Sequence, residues 1–531
     1  MENASTQPTT DAGHPRRWTI LAVLVFSLLV VVLDNSILNV ALRVIADPRQ
    51  GLGATQSELE WAINSYTLVF AGLLFTWGVL GDRYGRKRVL LLGMALFGLA
   101  SLVSAYAQSP GQLIVMRALM GFGGAAILPN SLAIITNVFS ARERIKAFAV
   151  WSGAVGLAIA IGPVTGGFLL EHFWWGSIFL VNVPIVALGS ALMLLVVPES
   201  RNPRPGRLDP LGVVLSIAAL VTVVYGIIRA GQLGTWLTAE VLATLAVGLG
   251  LLVLFVRHEA RSDHPALDVR LFRDPRLSAS AAAIALVFFA LMGVTFFMVF
   301  YLQSVRGFGP LESGAVLLPM AVAQLLLAPR SAALAQRFGT KAVAAGGLAG
   351  VALMLYAISF ADRDLPIWQL EIILFLLGAG MAHVMSPVTD AVMTVVPREQ
   401  AGAGSAINNI SRQVGGALGV AVLGSLLSSV YRSRMGERLA FLPPGTRHAA
   451  GESIEATLAA ARQAGPRGAT LVGPAMDAFV HAMHVVAWCS AAVAALGVLV
   501  VLVWLPQRPH EGRPGAPAAP AGTEPARALR K

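Results

Sequence analysis

Apolar stretches long enough to cross a lipid bilayer recur along this chain from Trp18 to Leu505. A helix needs roughly 20 residues to span the hydrocarbon core, because each residue advances it by only about 1.5 Å. Hydropathy places about fourteen such helices, at approximately 19–42, 58–80, 88–107, 111–134, 146–169, 178–197, 210–229, 238–256, 278–302, 312–334, 341–360, 367–396, 401–427 and 478–505. With 56% of its 531 residues apolar and 13% charged, the chain would coat a soluble globule in hydrocarbon. The expected class is therefore an all-α integral membrane protein and not an enzyme, a soluble enzyme being the weakest reading.

The first window, Ile20 to Ala41, follows Arg16 and Arg17 and imitates a signal peptide. It is too long for a signal's apolar region and contains Asp34, Asn35 and Asn39, so a retained helix is expected. The single cysteine, Cys489, provides neither a disulfide framework nor a thiolate metal site, and no metal is expected. A net charge of +11 suggests nucleic acid only until its distribution is traced. The basic residues sit in short loops between apolar windows, where they set orientation. Arg83, Arg86, Lys87 and Arg88, then Arg142, Arg144 and Lys146, then Arg201, Arg204 and Arg207 fall on the same side as the amino terminus. The expectation is a multi-pass protein of a bacterial inner or plasma membrane with both termini cytoplasmic and no nucleic-acid partner. No GxxxxGK[ST] loop occurs, so no nucleotide fuel and no cofactor are expected.

An internal repeat organises these helices. Leu80-Gly-Asp-Arg-Tyr-Gly-Arg-Lys87, after the second helix, matches Leu334-Ala-Gln-Arg-Phe-Gly-Thr-Lys341, after the tenth, position by position. The same offset carries Gly162 to Gly167 of the fifth helix into the thirteenth, to the neighbourhood of Gly415, Gly416 and Gly419. The expected organisation is a tail at 1–18, a six-helix bundle at 19–200 and two inserted helices with linkers at 201–276. A second six-helix bundle follows at 277–505 with an extracellular loop at 430–475, and then a disordered tail at 506–531, rich in Pro, Ala and Gly. The 430–475 loop is a solvated connection, a cap over an exit or a contact for a periplasmic adaptor.

Charged side chains inside apolar windows are expensive and mark function by default. Asp34 sits near the middle of the first helix, where loss of water favours the protonated acid, and is the first choice for a proton or cation site. Asn35 and Asn39 are spaced to share a neighbouring face and to solvate a substrate, the alternative being structural bonds between helices. Arg117 must point into the bundle, as a partner for a carboxylate or as a structural cation. In the loop after helix two, Gly81 and Gly85 permit a tight turn and Asp82 is placed to latch onto arginine in one conformation only. Gly162 and Gly166 form a small-xxx-small pair and Pro163 frees a backbone carbonyl, so helix five can approach a neighbour closely and bend. His383, Pro387 and Asp390 share a face of helix twelve, and Asn408, Arg412 and Gly415 one of helix thirteen. A pairing of Asp390 with Arg412, tuned by His383, is expected, against a satisfied histidine and an interfacial acid. Asp477, His481 and His484 share a face at the start of helix fourteen, more consistent with an interfacial polar stripe than with metal.

Taken together these stretches resemble the major facilitator superfamily, and within it the fourteen-helix drug:proton antiporters. The loop Gly78-Val-Leu-Gly81-Asp82-Arg83-Tyr-Gly85-Arg86-Lys87 is similar to the family's gating signature, and Leu33 to Leu42 to its first-helix signature. Leu113 to Ala126 around Arg117 resembles its fourth-helix signature, and Gly156 to Gly167, including Gly162, Pro163, Gly166 and Gly167, its antiporter signature. Met120 stands where the family usually has glutamine, Arg43 where it commonly has proline, and Trp175-Gly-Ser-Ile-Phe179 where it has Trp-Arg-Trp-Ile-Phe. The resemblance implies two bundles of six helices rocking about a midplane site; the residues themselves put Asp34, Arg117, Asp390 and Arg412 forward for coupling and Asn35, Asn39 and His383 for the cavity. It also implies export of lipophilic or cationic small molecules driven by a proton gradient. Import or facilitated passage of a metabolite is the alternative on the same fold.

Overall fold

The computed structural model describes residues 14–201, 209–262, 265, 267, 269–395 and 401–505. The expected tails, apart from residues 14–18, and most of the linker after the sixth helix lie outside the described residues. The chain runs through α1 (Arg17–Ala46), α2 (Gln56–Tyr84), α3 (Arg86–Ala105), α4 (Pro110–Gly124), α5 (Ile127–Val138), α6 (Ala141–His172), α7 (Ser177–Leu180) and α8 (Asn182–Val196). It continues through α9 (Pro210–Leu233), α10 (Ala239–Arg261), α11 (Pro275–Phe300), α12 (Pro310–Phe338), α13 (Thr340–Ile358), α14 (Ile367–Val395), α15 (Ala401–Met435), α16 (Pro444–Glu452), α17 (Ile454–Gln463) and α18 (Pro466–Trp504). No strand occurs among the described residues.

Twelve spans are long and apolar enough to cross a membrane, with α4–α5 and α7–α8 each counted as one. A thirteenth is α2, which bends by 50° between Gln56–Leu74 and Thr76–Tyr84. The remaining window of the sequence reading falls on α6, a 32-residue helix with no charged residue between Lys146 and Glu171. The protein is therefore an all-helical, multi-pass membrane protein. Helix ends differ from hydropathy where polar residues continue a helix beyond the bilayer. α15 runs on to Met435, and α18 begins at Pro466 rather than near 478, because proline suits a first turn whose amides need no partner.

Matching ends make the repeat visible. α2 and α12 are both 29 residues long. Glu58 accepts from the Thr55 amide at 2.8 Å and Glu312 from the Gly309 amide at 3.1 Å, so each helix starts by satisfying an orphan donor. Each ends on a glycine at positive φ, Gly85 at 114° and Gly339 at 87°, where a side chain would be strained. Pairings repeat as well: a Cβ on Gly162 or Gly166 of α6 would meet Ser36 or Ile37 of α1, and one on Gly415 or Gly419 of α15 would meet Ala285 or Phe289 of α11.

The start of α1 lies beside the start of α6, with Arg17 Nε 2.6 Å from Glu143 Oε2, which defines a near face. At the opposite, far face the two halves of the chain are pressed together. α6 abuts α12 so closely that a Cβ on Gly167 would lie 2.5 Å from Leu311 Cα, and one on Gly314 would run into the Pro163 carbonyl. α2 meets α15 where a Cβ on Gly424 would strike the Glu60 carboxyl. Gln303 donates from Nε2 to the Val40 carbonyl at 3.1 Å. Over this face the segment expected as a loop forms α16 and α17. Glu455 of α17 bonds Ser304, just beyond α11 in the second half, and stands 3.8 Å from Arg43 at the end of α1, while Arg462 stands 3.8 Å from Asp47. Arg43, one of the departures from the family pattern, thus gains an acidic neighbour from the other half.

Candidate functional site

Asp34 and Arg117 meet in the interior of the first half. Arg117 Nη1 donates to Asp34 Oδ2, and both side chains are essentially sealed from the surface. Each reaches the other because α1 and α4 bury the faces that carry them. Arg117 also donates from Nε to the Ala62 carbonyl of α2 at 3.1 Å and lies over the Tyr66 ring, 4.3 Å from its centre. The second oxygen of Asp34 accepts from Asn182 Nδ2 of α8 at 2.9 Å, and that amide also reaches the Ser101 hydroxyl of α3 at 3.0 Å. Five elements therefore converge on one ion pair. Two charges in so dry a place are tolerable only because each has a counter-charge and further hydrogen bonds.

Some capacity stays unused around the pair. Arg117 Nη2, the Tyr66 hydroxyl and Asn182 Oδ1 are buried and have no hydrogen-bond partner among the described residues. Native structures rarely leave such groups idle, which makes the cluster a place where a proton, a water or a polar ligand can exchange partners. Met120, in place of the family's glutamine, sets its sulfur 3.5 Å from the Ser104 hydroxyl and 4.0 Å from Arg117 Nη1. Sequence reasoning picked out Asp34 and Arg117 but missed Tyr66, Ser101 and Asn182. The only available signal for Asn182 was its place in Asn182-Val-Pro184 after an aromatic cluster.

The other residues singled out lie in separate places. Asn35 and Asn39 are partly buried on α1 and donate to the Val31 carbonyl at 3.0 Å and the Asn35 carbonyl at 3.3 Å, bonds within their own helix. His383 Nδ1 stands 2.7 Å from the Ala379 carbonyl, again within one helix. The expected pairing of Asp390 with Arg412 is absent from the ion pairs between described residues: Asp390 is exposed, and Arg412 lies 4.8 Å from the centre of the Phe288 ring. An aromatic face replaces the carboxylate as that cation's neighbour. Asp477, His481 and His484 part company, toward Arg363 at 2.8 Å, Arg434 at 3.0 Å and the Ala361 carbonyl at 2.8 Å, and no metal-holding cluster occurs among the described residues.

The loop after α2 is a compact near-face knot. Asp82 pairs with Arg86 at 2.8 Å, and Arg86 also reaches the Ala133 carbonyl at 3.3 Å. Gly81 packs on Asn130, Gly78 on Pro129 and Gly85 on Glu199. Glu199 accepts from the Lys87 and Arg88 amides at 3.1 and 3.3 Å, an acid at the positive end of α3. Lys87 Nζ bonds the Leu194 carbonyl at 2.9 Å, while Arg83 lies on the exposed Tyr84 ring. In this conformation every one of these contacts stays within the first half. In the antiporter stretch, Gly162 and Gly166 bring α6 onto α1, Pro163 and Gly167 bring it onto α12, and Gly156 lies within the same helix.

The sequence model of the Major Facilitator Superfamily matches residues 24–420. The chain belongs to that superfamily. This facilitator is 37% identical over 457 residues to the multidrug efflux pump LfrA of Mycolicibacterium smegmatis, covering 86% of this chain and 89% of LfrA. It is 36% identical to the methyl viologen resistance protein SmvA of Salmonella typhimurium, over 78% of this chain and 83% of SmvA. With the tetracenomycin C resistance and export protein of Streptomyces glaucescens it shares 33% identity, over 80% and 78% of the two chains. Among solved structures, a bacterial homolog of the human lysosomal transporter Spinster superposes with a TM-score of 0.64 at 17% identity, covering 92% of the facilitator and 98% of that chain, which shows the fold. As a major facilitator the protein is a transporter and not an enzyme.

Proposed function

We propose that this facilitator exports lipophilic or cationic small molecules, drugs and antibiotics among them, in exchange for protons, from the cytoplasm across a bacterial inner or plasma membrane. The buried Asp34–Arg117 pair carries this reading, supported by relatives whose names are those of efflux and resistance proteins. A carboxyl that gains a proton loses most of its hold on arginine, and the guanidinium then needs another partner. Protonation and cargo can thus compete for one set of groups, with Asn35 and Asn39 on the neighbouring face of α1 and His383, Asp390 and Arg412 in the second half.

Residues 19–200 and 277–505 form the two six-helix bundles that rock about this site, and 201–276 supplies the inserted pair α9 and α10. The tight α6–α12 and α2–α15 contacts hold the far, external side shut in the present conformation. Gly162, Pro163, Gly166 and Gly167 provide that closure, and the Gly78 to Lys87 loop governs the cytoplasmic side. The proton gradient is the energy source: one charge moving down a potential gains about 2.3 kcal/mol per 100 mV, enough to concentrate a neutral compound severalfold. In sealed vesicles containing purified protein, adding a transported dye such as ethidium should release protons from wild type and none from Asp34→Asn. Equal proton release from the two proteins would reject the role of Asp34.

A further inference from the structure

A second carboxyl lies at the shut seam, and the Asp34 site does not use it. Glu60 is 1% exposed, one turn into α2 from the far face, and its Oε2 has no hydrogen-bond partner among the described residues. Gln56 and Asn64, one turn to either side on the same face, are 4% and 0% exposed; Gln56 Nε2 and both amide atoms of Asn64 are likewise unpartnered. The Glu60 carboxyl sits against Gly424 of α15, where even a methyl group would collide with it. It therefore lies between the two halves, at a contact that must part whenever the far side opens.

The charges on the neighbouring elements are engaged elsewhere. On α2 itself, Glu58 closes the helix start with Thr55 and Asp82 pairs with Arg86 at the other end. Arg117 of α4 holds Asp34 of α1, Lys87 and Arg88 of α3 lie at the near face beside Glu199, and α5 has no charged residue. Arg229 of α9 pairs with Glu240 at 2.8 Å. On α15, Arg412 lies on Phe288, Arg432 bonds the Gly231 and Gln232 carbonyls, and Arg434 meets His481. A carboxylate buried without a cation is far more costly than a neutral acid in the same space.

We propose that Glu60 is a second proton-exchanging carboxyl of the carrier: it holds a proton while the α2–α15 seam is shut and gives it up only when the seam parts and water reaches it. Closure of the external side then requires a proton taken from outside and opening returns it to the same side, so Glu60 sets whether an emptied carrier can reset, while the proton carried across is left to the Asp34 site. The inference deepens the antiport reading and rests on it for its physiological meaning, but its test does not depend on transport.

The test reads the seam directly. Full-length protein in lipid nanodiscs carries spin labels at Ser57→Cys and Ser429→Cys in a Cys489→Ser background, and their separation is followed against pH. The closed population should fall as pH rises in the labelled parent and in Asp34→Asn, while Glu60→Gln, a neutral isostere, stays closed at every pH. Infrared spectra with isotope-labelled glutamate should show a protonated-carboxyl band in the parent at neutral pH that Glu60→Gln lacks. If the variant does not fold, the band and the pH-dependent separation in the parent still decide the matter together with Glu60→Asp, which should keep the pH-dependent separation and lose the glutamate-labelled band. No such band, or the same pH profile in Glu60→Gln and parent, overturns the proposal. Parent vesicles that release no protons with any dye, while the band and seam response persist, would overturn the antiport reading and leave Glu60's protonation supported.

Discussion

Arg117 uses one guanidinium for three tasks: an ion pair with Asp34, a bond to the Ala62 carbonyl and a stack on Tyr66. Lysine has neither the fork nor the plane for this, so Arg117→Lys should lose export nearly as fully as Arg117→Ala in a dye-efflux assay. Arg117→Ala leaves Asp34 buried and uncompensated, at a cost of about 3–5 kcal/mol, read as a lower unfolding midpoint in detergent. Asn182→Ala removes one hydrogen bond to the same carboxylate and should cost about 1–3 kcal/mol in the same measurement. Asp34 and Arg117 were legible in the sequence because ionisable residues are rare in apolar windows. Tyr66, Ser101 and Asn182 were not, since aromatic and small polar residues are common in such helices and only folding brings them together from three of them. Glu60 drew no reading from the sequence: its burial depends on α15, more than three hundred residues along the chain. The Asp390–Arg412 pairing was inferred from shared helical faces, which fix direction but not which neighbour lies opposite, and Arg412 lies on the Phe288 ring.

Helix against helix, the far-face closure depends on residues without side chains. A bulky group at Gly167 or Gly314 has no space in the α6–α12 contact. Gly314→Leu should therefore hold the far side open and reduce dye export to less than a tenth of wild type. Thiol accessibility of a cysteine placed at the seam would check this, and unchanged protection would contradict it. At the end of α2, Gly85→Ala forces a side chain to φ near 114° against Glu199. About 1–2 kcal/mol of stability should be lost there, measured by thermal unfolding. Hydropathy located the spanning helices well because bilayer thickness dictates their length. It misplaced the start of α18 and missed α16 and α17 as elements, because these helices leave the lipid and follow caps and packing instead.

Across the whole molecule, α17 ties the two halves together, through Arg43 and Asp47 on one side and Ser304 on the other. Burial pushes the Glu455 carboxyl above its ordinary value of 4.5, with the Arg43 guanidinium only partly opposing it. A group raised in the gripped state binds more protons there than when released, so the grip is firmest below the ordinary value and weakens as pH climbs through the raised one. Hydrogen exchange at the α17 amides should accordingly quicken with pH beyond its intrinsic dependence, and Glu455→Gln should flatten that excess. The repeat and its matched ends were readable from sequence, but this bridge was not, since Arg43 and Glu455 belong to opposite ends of the chain. It also offers a point of control that needs no entry into the lipid. An antibody fragment that recognised α17 only when seated on α1 would trap the pump in that arrangement, by as much as its preference for it and no more.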